Sequence, residues 1–338
     1  MPIDIVLDAM GSDKAPDPEI RGAILACRHF DVRVHLAGPE ELLRPKLREA
    51  LKVYASRERV PVFIAQASEW ISMDDKAAQA VRSKRDSSMR VGLKMVREGR
   101  AAGFVTAGNT GAAMATAKMV LGSLSGIDRP ALATIMPTMT GRPSVLLDVG
   151  ANVDSDPENL VQFAVMGHVY SRNVLRTANP RIGLLSIGEE DGKGNSLTRD
   201  TLPLLRELKS INFIGNVEGR DIFNGHADVV VCDGFVGNVA LKTSEGAAKM
   251  MTSLLRESLK STVTSQVGAL LSRKAFADFK KRLDYSEYGG AQLLGVRGAC
   301  IVGHGSSNER AIMNGIRVAA EFAQAEVNSG IEAALAAR

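Results

Sequence analysis

Residues 229–246 read VVVCDGFVGNVALKTSEG, and this stretch indicates how the chain folds. The apolar run at 229–232 predicts a buried strand, because a strand covered on both faces is apolar at successive positions. A turn with two glycines follows at 233–238, and a helical pattern begins at once. A strand that runs through such a loop into a helix leaves backbone N–H groups without helical partners. An anion is able to bind there.

Strands and helices are predicted to alternate along most of the chain. Short apolar runs predict strands at residues 3–7, 32–36, 60–65, 103–106, 131–136, 144–147, 182–187, 213–214 and 300–302, with a hairpin between the fifth and sixth. Asp-Pro-Glu at 17–19 and at 156–158 predicts helix starts, because aspartate caps helices and proline fits the first turn. The glycines at 290–298 predict a loop. Such alternation favours an α/β fold whose sheet is covered on both faces. Since no linker-like segment divides residues 1–338, we expect one compact unit with intertwined subdomains.

The composition excludes several classes of protein. Hydrophobic residues make up 45% and charged residues 24% of the 338, as in ordinary globular proteins. Aromatic residues are only 4% and the net charge is only +4, so we expect no nucleic-acid partner. The three cysteines are widely spaced and the five histidines lack zinc-ligand spacing, so no metal is expected. The beginning of the chain lacks a signal-peptide pattern and no apolar run approaches ~18 residues, which predicts a cytoplasmic protein without a membrane span.

Five loops leave a predicted strand and enter a predicted helix, at residues 108–111, 148–152, 188–195, 233–238 and 304–307. Ligands of open α/β sheets collect outside the carboxyl ends of the strands, and these loops carry Asn, Ser, Thr and Lys. We therefore expect a phosphate or oxyanion site. Glycine and asparagine are also ordinary turn and cap residues, so each loop alone has a purely structural alternative. The Walker, dinucleotide-binding and nucleophile-elbow motifs are missing from the sequence.

Several short motifs, in a fixed order, resemble those of one family over nearly the whole chain. They are DAMG at 8–11, DSSM at 86–89, AGNTG at 107–111, GIDRPALA at 126–133, LDVGAN at 147–152, GNVE at 215–218, DGF at 233–235, LKT at 241–243, YGGA at 288–291 and HGSS at 304–307. The chain is thereby similar to the PlsX family, the phosphate acyltransferases of bacterial phospholipid synthesis. Two departures are minor, since Ser12 replaces a usual second glycine and Gln292 a usual proline or serine.

The resemblance implies an enzyme that transfers a fatty acyl group from acyl carrier protein to inorganic phosphate, giving acyl-phosphate. It implies a three-layer α/β/α fold like that of isocitrate and isopropylmalate dehydrogenases, which is Rossmann-like, with a mostly parallel mixed sheet and a protruding helical hairpin. It also implies a homodimer, and a nicotinamide cofactor is not expected with it. The alternatives left open are a short-chain phosphotransacylase that uses acyl-coenzyme A and a non-catalytic, membrane-associated phosphate-binding scaffold.

This chemistry suggests roles for three residues. Lys193, the only lysine of the five loops, is expected to bind and orient phosphate or briefly to take its proton, the alternative being a solvated loop lysine. Asn238 is expected to donate a hydrogen bond to the thioester oxyanion, the alternative being a helix N-cap. His304 is a candidate for protonating the leaving thiolate. The turn after the first predicted strand and the five loops also supply the expected phosphate- or substrate-binding residues, which are Gly11, Asn109, Thr110, Asp148, Asn152, Asp233, Gly237 and Ser306.

Residues 249–284 differ in character from the rest of the chain. Large apolar residues recur there at mostly helical spacing between basic flanks, which predicts an amphipathic pair of helices. We expect transient contact with the inner face of the cell membrane and hand-over of acyl-phosphate to a membrane glycerol-3-phosphate acyltransferase. Packing between two copies of the chain is the alternative. The expected membrane-contact residues are Leu254, Val263, Val267, Leu270 and Leu271. The acidic carrier protein is expected to dock on Arg82, Lys84 and Arg85 or on residues 280–282.

Overall fold

The computed structural model describes residues 1–55, 59–283 and 289–338, with residues 280–283 described by backbone alone. In this part of the chain, eleven strands belong to one sheet. They are β1 Ile3–Asp8, β2 Val32–Gly38, β3 Val62–Gln66, β4 Gly103–Thr106, β5 Ala131–Met136, β6 Ser144–Leu147, β7 Arg181–Leu185, β8 Asn212–Val217, β9 Val229–Val231, β10 Ala291–Leu294 and β11 Ala299–Val302. The loop expected at 290–298 therefore contains a strand, β10, which its flanking glycines concealed.

The helices lie between these strands and after them. They are α1 Asp17–His29, α2 Glu40–Tyr54, α3 Ala77–Ser83, α4 Ser88–Arg97, α5 Thr110–Val120, α6 Pro157–Asn173, α7 Ser196–Glu207, α8 Asp221–Asn224, α9 Gly234–Lys260, α10 Val263–Leu271, α11 Arg273–Leu283, α12 Glu309–Gln324 and α13 Val327–Ala336. Asp156 caps α6 with a capping box, as the sequence predicts. At α1 the N-cap position is Pro16 rather than Asp17, so that helix begins one residue earlier than expected.

The strand order is β3-β2-β1-β4-β11-β10-β5-β6-β9-β7-β8. Most neighbours are parallel, and the antiparallel pairs are β11–β10, β10–β5 and the predicted hairpin β5–β6. The hairpin turns the chain over, so β6, β9, β7 and β8 run opposite to β1, β2, β3, β4 and β11. The sheet is therefore mixed and mostly parallel, in two halves of opposite direction.

Helices cover both faces of the sheet. Along β1, Val6 packs into a cluster that includes Met89 and Leu93 of α4, while its neighbour Ile5 packs with Ile20 of α1 on the other face. In the second half of the sheet, α6, α7 and α13 form one cluster around Phe163. Adjacent strand residues point to opposite faces, and both faces are buried. The expected three-layer α/β/α fold is confirmed.

The second half of α9 protrudes from this body together with α10 and α11. Only Gly234 and Gly237, both in the first turn of α9, are buried in that 27-residue helix, and α10 has no buried residue. α10 contacts α9 and α11. The protruding segment thus contains three helical pieces rather than the expected pair. Residue 284, the last of the expected hairpin, lies outside the described residues.

Candidate active site

A cleft of about 430 Å³ lies between α5 and α9, with residues of β4, β5, β10 and β11 along its floor. Thr106 and Thr134 belong to that floor. Thr110 enters from the start of α5, Asn238 from the start of α9, and His304 from the loop after β11. We call this space the cleft.

The two halves of the sheet run in opposite directions, and their strands end at one level across the sheet. Leu147, the last residue of β6, aligns through β5 and β10 with Ile301 of β11 and Val105 of β4. Val231 of β9 and Leu184 of β7 continue the same level. The carboxyl ends of both halves therefore come together, and the cleft takes residues from four of the five predicted anion loops, those at 108–111, 148–152, 233–238 and 304–307.

Asn238 lies in the cleft and its side chain is exposed there. The N-cap of α9 is Asp233, whose carboxylate accepts the N–H of Phe235 at 2.9 Å and the N–H of Ser155 at 3.0 Å. The alternative that Asn238 caps the helix is therefore wrong. Gly150 has a φ of +125°, and a Cβ there would stand 3.4 Å from the Asn238 Cγ, so the loop after β6 and the amide are in close contact.

Two of the glycines expected to bind substrate serve close packing instead. A Cβ on Gly237 would lie 1.9 Å from the carbonyl oxygen of Asp148, so only glycine lets the first turn of α9 rest on that loop. A Cβ on Gly11 would lie 2.8 Å from the backbone nitrogen of Gly108. Neither glycine is among the residues that line the cleft.

Asp148 is a buried anchor for the loop after β6. Its Oδ1 accepts the backbone N–H groups of Leu132, Gly150 and Ala151, and its Oδ2 accepts the N–H and the side-chain amide of Asn152. Burial raises the pKa of this carboxyl, and the same hydrogen bonds oppose the rise. The amide of Asn152 also donates to the carbonyl of Pro130 at 2.9 Å. Asp148 and Asn152, both expected to bind phosphate, shape the cleft without lining it.

Asn109 has a similar supporting role at the start of α5. Its side-chain oxygen accepts the N–H of Ala112, and its amide donates to the carbonyls of Met73 and Asp75. The side chain is thus engaged at both ends, as a cap and as a tie to the preceding segment. Thr110, the next residue, is exposed and lines the cleft, as the sequence predicts for a binding residue.

The tautomer of His304 follows from its contact with Ser306. The backbone N–H of Ser306 lies 3.1 Å from His304 Nδ1, and the Ser306 hydroxyl oxygen lies 2.8 Å from the same atom. A backbone N–H only donates, so Nδ1 accepts and the proton of the neutral ring is on Nε2. His304 lines the cleft, and Ser306 orients its ring through Nδ1.

Lys242, for which the sequence analysis predicts no role, lies at the cleft, whereas Lys193 does not. Lys193 is exposed in the loop after β7 and is not among the residues that line the cleft. Lys242 does line it, and its Nζ lies 3.0 Å from Oε2 of Glu245, another lining residue. Sequence reasoning missed Lys242 because it searched loops. The signal was helical spacing, since Asn238, Lys242 and Glu245 share one face of α9.

Two buried carboxylates lie behind the floor of the cleft. Asp8 accepts the hydroxyl of Thr106 at 2.7 Å, and Glu19 accepts the backbone N–H of Ser12 at 2.9 Å. Burial raises the pKa of Asp8, and burial raises the pKa of Glu19 to about 7, to which the nearby Asp8 charge adds. Glu19 keeps one oxygen without a hydrogen-bond partner. These groups connect α1 to the strand ends that form the floor.

Metal ligands are not clustered in the described part of the chain, where no group of three or more His, Cys, Asp or Glu side chains has suitable geometry. The three cysteines are free thiols, and burial raises the pKa of each. The polar side chains that line the cleft are one lysine paired with one glutamate, one amide, one imidazole, and threonine and serine hydroxyls. This set suits an anion and a developing oxyanion.

A family model and individual relatives each match nearly the whole chain. The family model described as "Fatty acid synthesis protein" matches residues 3–330. A phosphate acyltransferase of Acidobacterium capsulatum is 69% identical, with 99% of this chain and 97% of the relative covered. A phosphate acyltransferase of Koribacter versatilis is 63% identical, with 100% of this chain and 94% of the relative covered.

Solved structures of similar fold have much lower sequence identity. A phosphotransacetylase from Streptococcus pyogenes superposes with a TM-score of 0.61 at 17% identity, covering 96% of this chain and 94% of its own. A branched-chain phosphotransacylase from Enterococcus faecalis gives a TM-score of 0.56 at 13% identity, covering 95% of this chain and 99% of its own. At this identity the likeness concerns the fold.

Proposed function

The chain belongs to the family of fatty acid synthesis proteins whose curated relatives are phosphate acyltransferases, and we propose that it takes its acyl group from acyl carrier protein. It is an acyltransferase that transfers an acyl group to phosphate in phospholipid synthesis. The observation that carries the assignment of the site is the cleft, where Asn238 and Lys242 of α9 and His304 of the distant loop after β11 line one space.

The reaction joins a phosphate oxygen to the thioester carbonyl carbon and breaks the carbon–sulfur bond. Hydrogen phosphate loses a proton and the leaving thiolate gains one, so the step balances without an added acid or base. Near neutral pH the phosphate is largely dianionic, and it needs positioning and desolvation more than a strong base. The carbonyl oxygen becomes an oxyanion, for which a missing donor typically costs ~3–4 kcal/mol of barrier.

Asn238 is our candidate for that oxyanion donor. Its amide is exposed in the cleft rather than used as a helix cap, which leaves it available for a substrate. His304 is a candidate for a second donor through its Nε2–H. A positively charged His304 would place a second N–H against the backbone N–H of Ser306, so the neutral ring suits a hydrogen-bond role better than protonation of the thiolate.

Phosphate binding has two lysine candidates. Lys242 lines the cleft beside Glu245, which fixes its ammonium group on that face of α9, while Lys193 lies on the loop after β7. We favour Lys242 and keep Lys193 as the alternative. Lys242→Ala is expected to raise the KM for phosphate at least tenfold, with Lys193→Ala as the matched control. The opposite pattern would assign the role to Lys193.

The donor is tested by phosphate-dependent thiol release. Purified protein is given acyl-carrier-protein thioesters or the matching coenzyme A thioesters, and free thiol and acyl-phosphate are measured. We expect both products in equal amounts from the carrier-protein donor. Preference for coenzyme A thioesters would favour the short-chain phosphotransacylase alternative, and release from neither donor would contradict the assignment.

The protruding helices support a proposal of peripheral membrane contact. The helices of the described part of the chain include none that is both long and apolar enough to cross a bilayer. The exposed fractions of Val263, Leu270 and Leu271 are 77%, 67% and 82%, and Leu254 and Val267 are more than half exposed. Apolar side chains this exposed favour a covering surface, either lipid or a second copy of the chain. Hand-over of acyl-phosphate to a membrane glycerol-3-phosphate acyltransferase fits lipid contact.

Flotation with anionic liposomes separates these two coverings. Replacement of Leu254, Val263 and Leu270 by aspartate is expected to abolish flotation while the molar mass in solution stays that of the wild type, which we propose to be a dimer. If the triple variant dissociates, the exposed residues serve copy-to-copy packing instead.

Docking of the acidic carrier protein is proposed on the basic residues near α3. Arg82 and Arg85 are exposed there, whereas the ammonium of Lys84 is held by Asp75 and by the carbonyl of Trp70. We therefore favour Arg82 and Arg85 over Lys84 as the residues that bind the carrier protein. The side chains of the other candidate patch, residues 280–282, lie outside the described residues. A KM for the carrier-protein donor that does not rise with salt would argue against charge-guided docking.

A further inference from the structure

A second and larger cavity, of about 1000 Å³, adjoins the cleft and lies between α9 and the β5–β6 hairpin. Its walls are largely apolar and include Met136, Met139, Phe223, Met251 and Phe279. We call this space the groove. Met139 is 81% exposed and Met251 54% exposed, so large apolar side chains border it without being covered by the described part of the chain. Such a surface favours an apolar occupant.

The groove lies directly beside the cleft. Thr134, Leu241 and Glu245 line both spaces, so the two are neighbours across these three residues. On α9 the positions that follow Asn238 on the same face are Leu241, Glu245, Ala248 and Thr252, at the spacing of a helical stripe. One helix face therefore runs from the candidate reaction centre along the groove.

The groove is long enough for a fatty chain. From Leu241 to Arg256, the first and last groove residues on α9, the helix rises roughly 22 Å at about 1.5 Å per residue. The hydrocarbon core of a bilayer is about 30 Å thick and contains two leaflets, so one membrane fatty chain spans about 15 Å. A chain of that length therefore fits within the groove.

We propose that the groove holds the fatty chain of the acyl donor, with the thioester in the cleft and the terminal methyl group toward Arg256 and Phe279. The proposal rests on the acyl transfer proposed above. It adds that the groove is the part of the protein that selects the length of the acyl chain. Three observations favour this occupant over a second copy of the protein: the shared lining residues, a length sufficient for the chain, and a groove whose first residue on α9, Leu241, lies one helical turn from the candidate oxyanion donor Asn238. The far end lies at the protruding helices, where the acyl-phosphate product is able to leave toward lipid.

A substitution in the middle of the groove tests the proposal. Ala248 lies on the groove face of α9, and Ala248→Trp is expected to fill the space beyond it. Each methylene removed from an apolar site corresponds to about fourfold in kcat/KM, so displacement of only three methylenes corresponds to about 60-fold. We expect the ratio of kcat/KM for a sixteen-carbon donor to that for a four-carbon donor to fall at least this much.

The matched control is Met250→Trp, which adds the same side chain on the same helix two residues away. Met250 is 58% exposed and does not line the groove. For Met250→Trp, we therefore expect kcat/KM to depend on the chain length of the donor as it does for the wild type. Equal profiles for both variants and the wild type would overturn the proposal. Loss of all acyl transfer in the wild type would instead contradict the proposed function, so the two failures are distinguishable.

A photoreactive donor gives a readout that does not depend on turnover. An acyl-carrier-protein thioester with a diazirine near the methyl end of a sixteen-carbon chain is irradiated with the wild-type protein, and the labelled peptides are identified. We expect labels on Met139, Met251 or Phe279, and their loss in Ala248→Trp. Labels elsewhere in the wild type, or a change of molar mass in Ala248→Trp that identifies the groove as a copy-to-copy interface, would overturn the proposal.

Discussion

Gly237→Ala is the substitution for which the structure predicts the largest effect from the smallest change. The added methyl group would stand 1.9 Å from the Asp148 carbonyl oxygen and 2.8 Å from the Cys232 sulfur. Cβ atoms essentially never approach closer than 3.0 Å, so the first turn of α9 and the loop after β6 must separate by about 3.0 − 1.9 = 1.1 Å. Both are backbone, and neither is able to rotate out of the way.

The stability cost follows from two opposed effects. Overpacking of this kind costs up to ~3 kcal/mol and occasionally more, whereas replacing glycine by alanine within a helix gains ~1 kcal/mol. We therefore expect the free energy of unfolding to fall by about 2 kcal/mol. The same displacement moves the neighbouring Asn238, and a misplacement of ~1 Å at a reaction centre is able to lower kcat by about 100-fold.

Gly246→Ala is the control on the same helix. A Cβ at Gly246 meets nothing within 4 Å, and no left-handed backbone angle is required there. The helix-propensity gain of ~1 kcal/mol is then unopposed, so this variant is expected to be slightly more stable than the wild type and fully active.

Thermal unfolding and the rate of phosphate-dependent thiol release are the two measurements. The expected result is a lower Tm and a much lower kcat for Gly237→Ala, with neither change for Gly246→Ala. A Gly237→Ala protein with wild-type Tm and kcat would refute the packing argument, since the clash would then be relieved without displacing α9.

Three further predictions concern buried and oriented polar groups. Because burial raises the pKa of Glu19 to about 7 from 4.5, the folded protein keeps a proton there that the unfolded chain releases, and stability is lost as pH rises from about 4.5 to 7, by about 3 kcal/mol. Glu19→Gln should therefore match the wild type in Tm at pH 5 and exceed it at pH 8; a pH-independent difference would contradict this. Asp148→Asn replaces one acceptor oxygen by a donor that faces N–H groups, and we expect the free energy of unfolding to fall by at least ~3 kcal/mol in a denaturant titration. A midpoint equal to that of the wild type would contradict this. Ser306→Ala keeps the backbone donor to the ring and should lower kcat only a few-fold, against about 100-fold for His304→Ala; equal losses would place Ser306 itself in the reaction.

Local signals in the sequence predict most of the elements correctly. Strands β1, β2, β4, β5 and β6 and helix α6 form within a residue or two of the expected bounds, because apolar runs and helix caps act on neighbouring residues. The strand β10 was missed, since only four residues between glycines carry it and its apolar pattern is too short to separate from a loop.

The composition of the candidate site depends on longer-range packing. Loop chemistry selected Asn238, His304 and Thr110, which line the cleft, and it also selected Asp148, Asn152, Asn109 and Gly237, which hold the backbone in place. A buried carboxylate that anchors N–H groups and an exposed one that binds ligand have the same letter in a sequence. Burial and hydrogen-bond partners are what distinguish them.

Patterns of neighbouring residues suffice for the alternation of strands and helices and for the α/β/α class, and the ordered motifs suffice for the family. Packing between distant segments is needed to place Lys242 in the cleft, to show that Asn238 is not a cap, and to form the apolar groove beside the cleft. The β5–β6 hairpin is the cause. By reversing the direction of half the sheet, it brings the carboxyl ends of both halves to one level, so the loop after β6 and the start of α9 meet the loops after β4 and β11 at one cleft. That register between distant strands is not specified by any short stretch of the sequence.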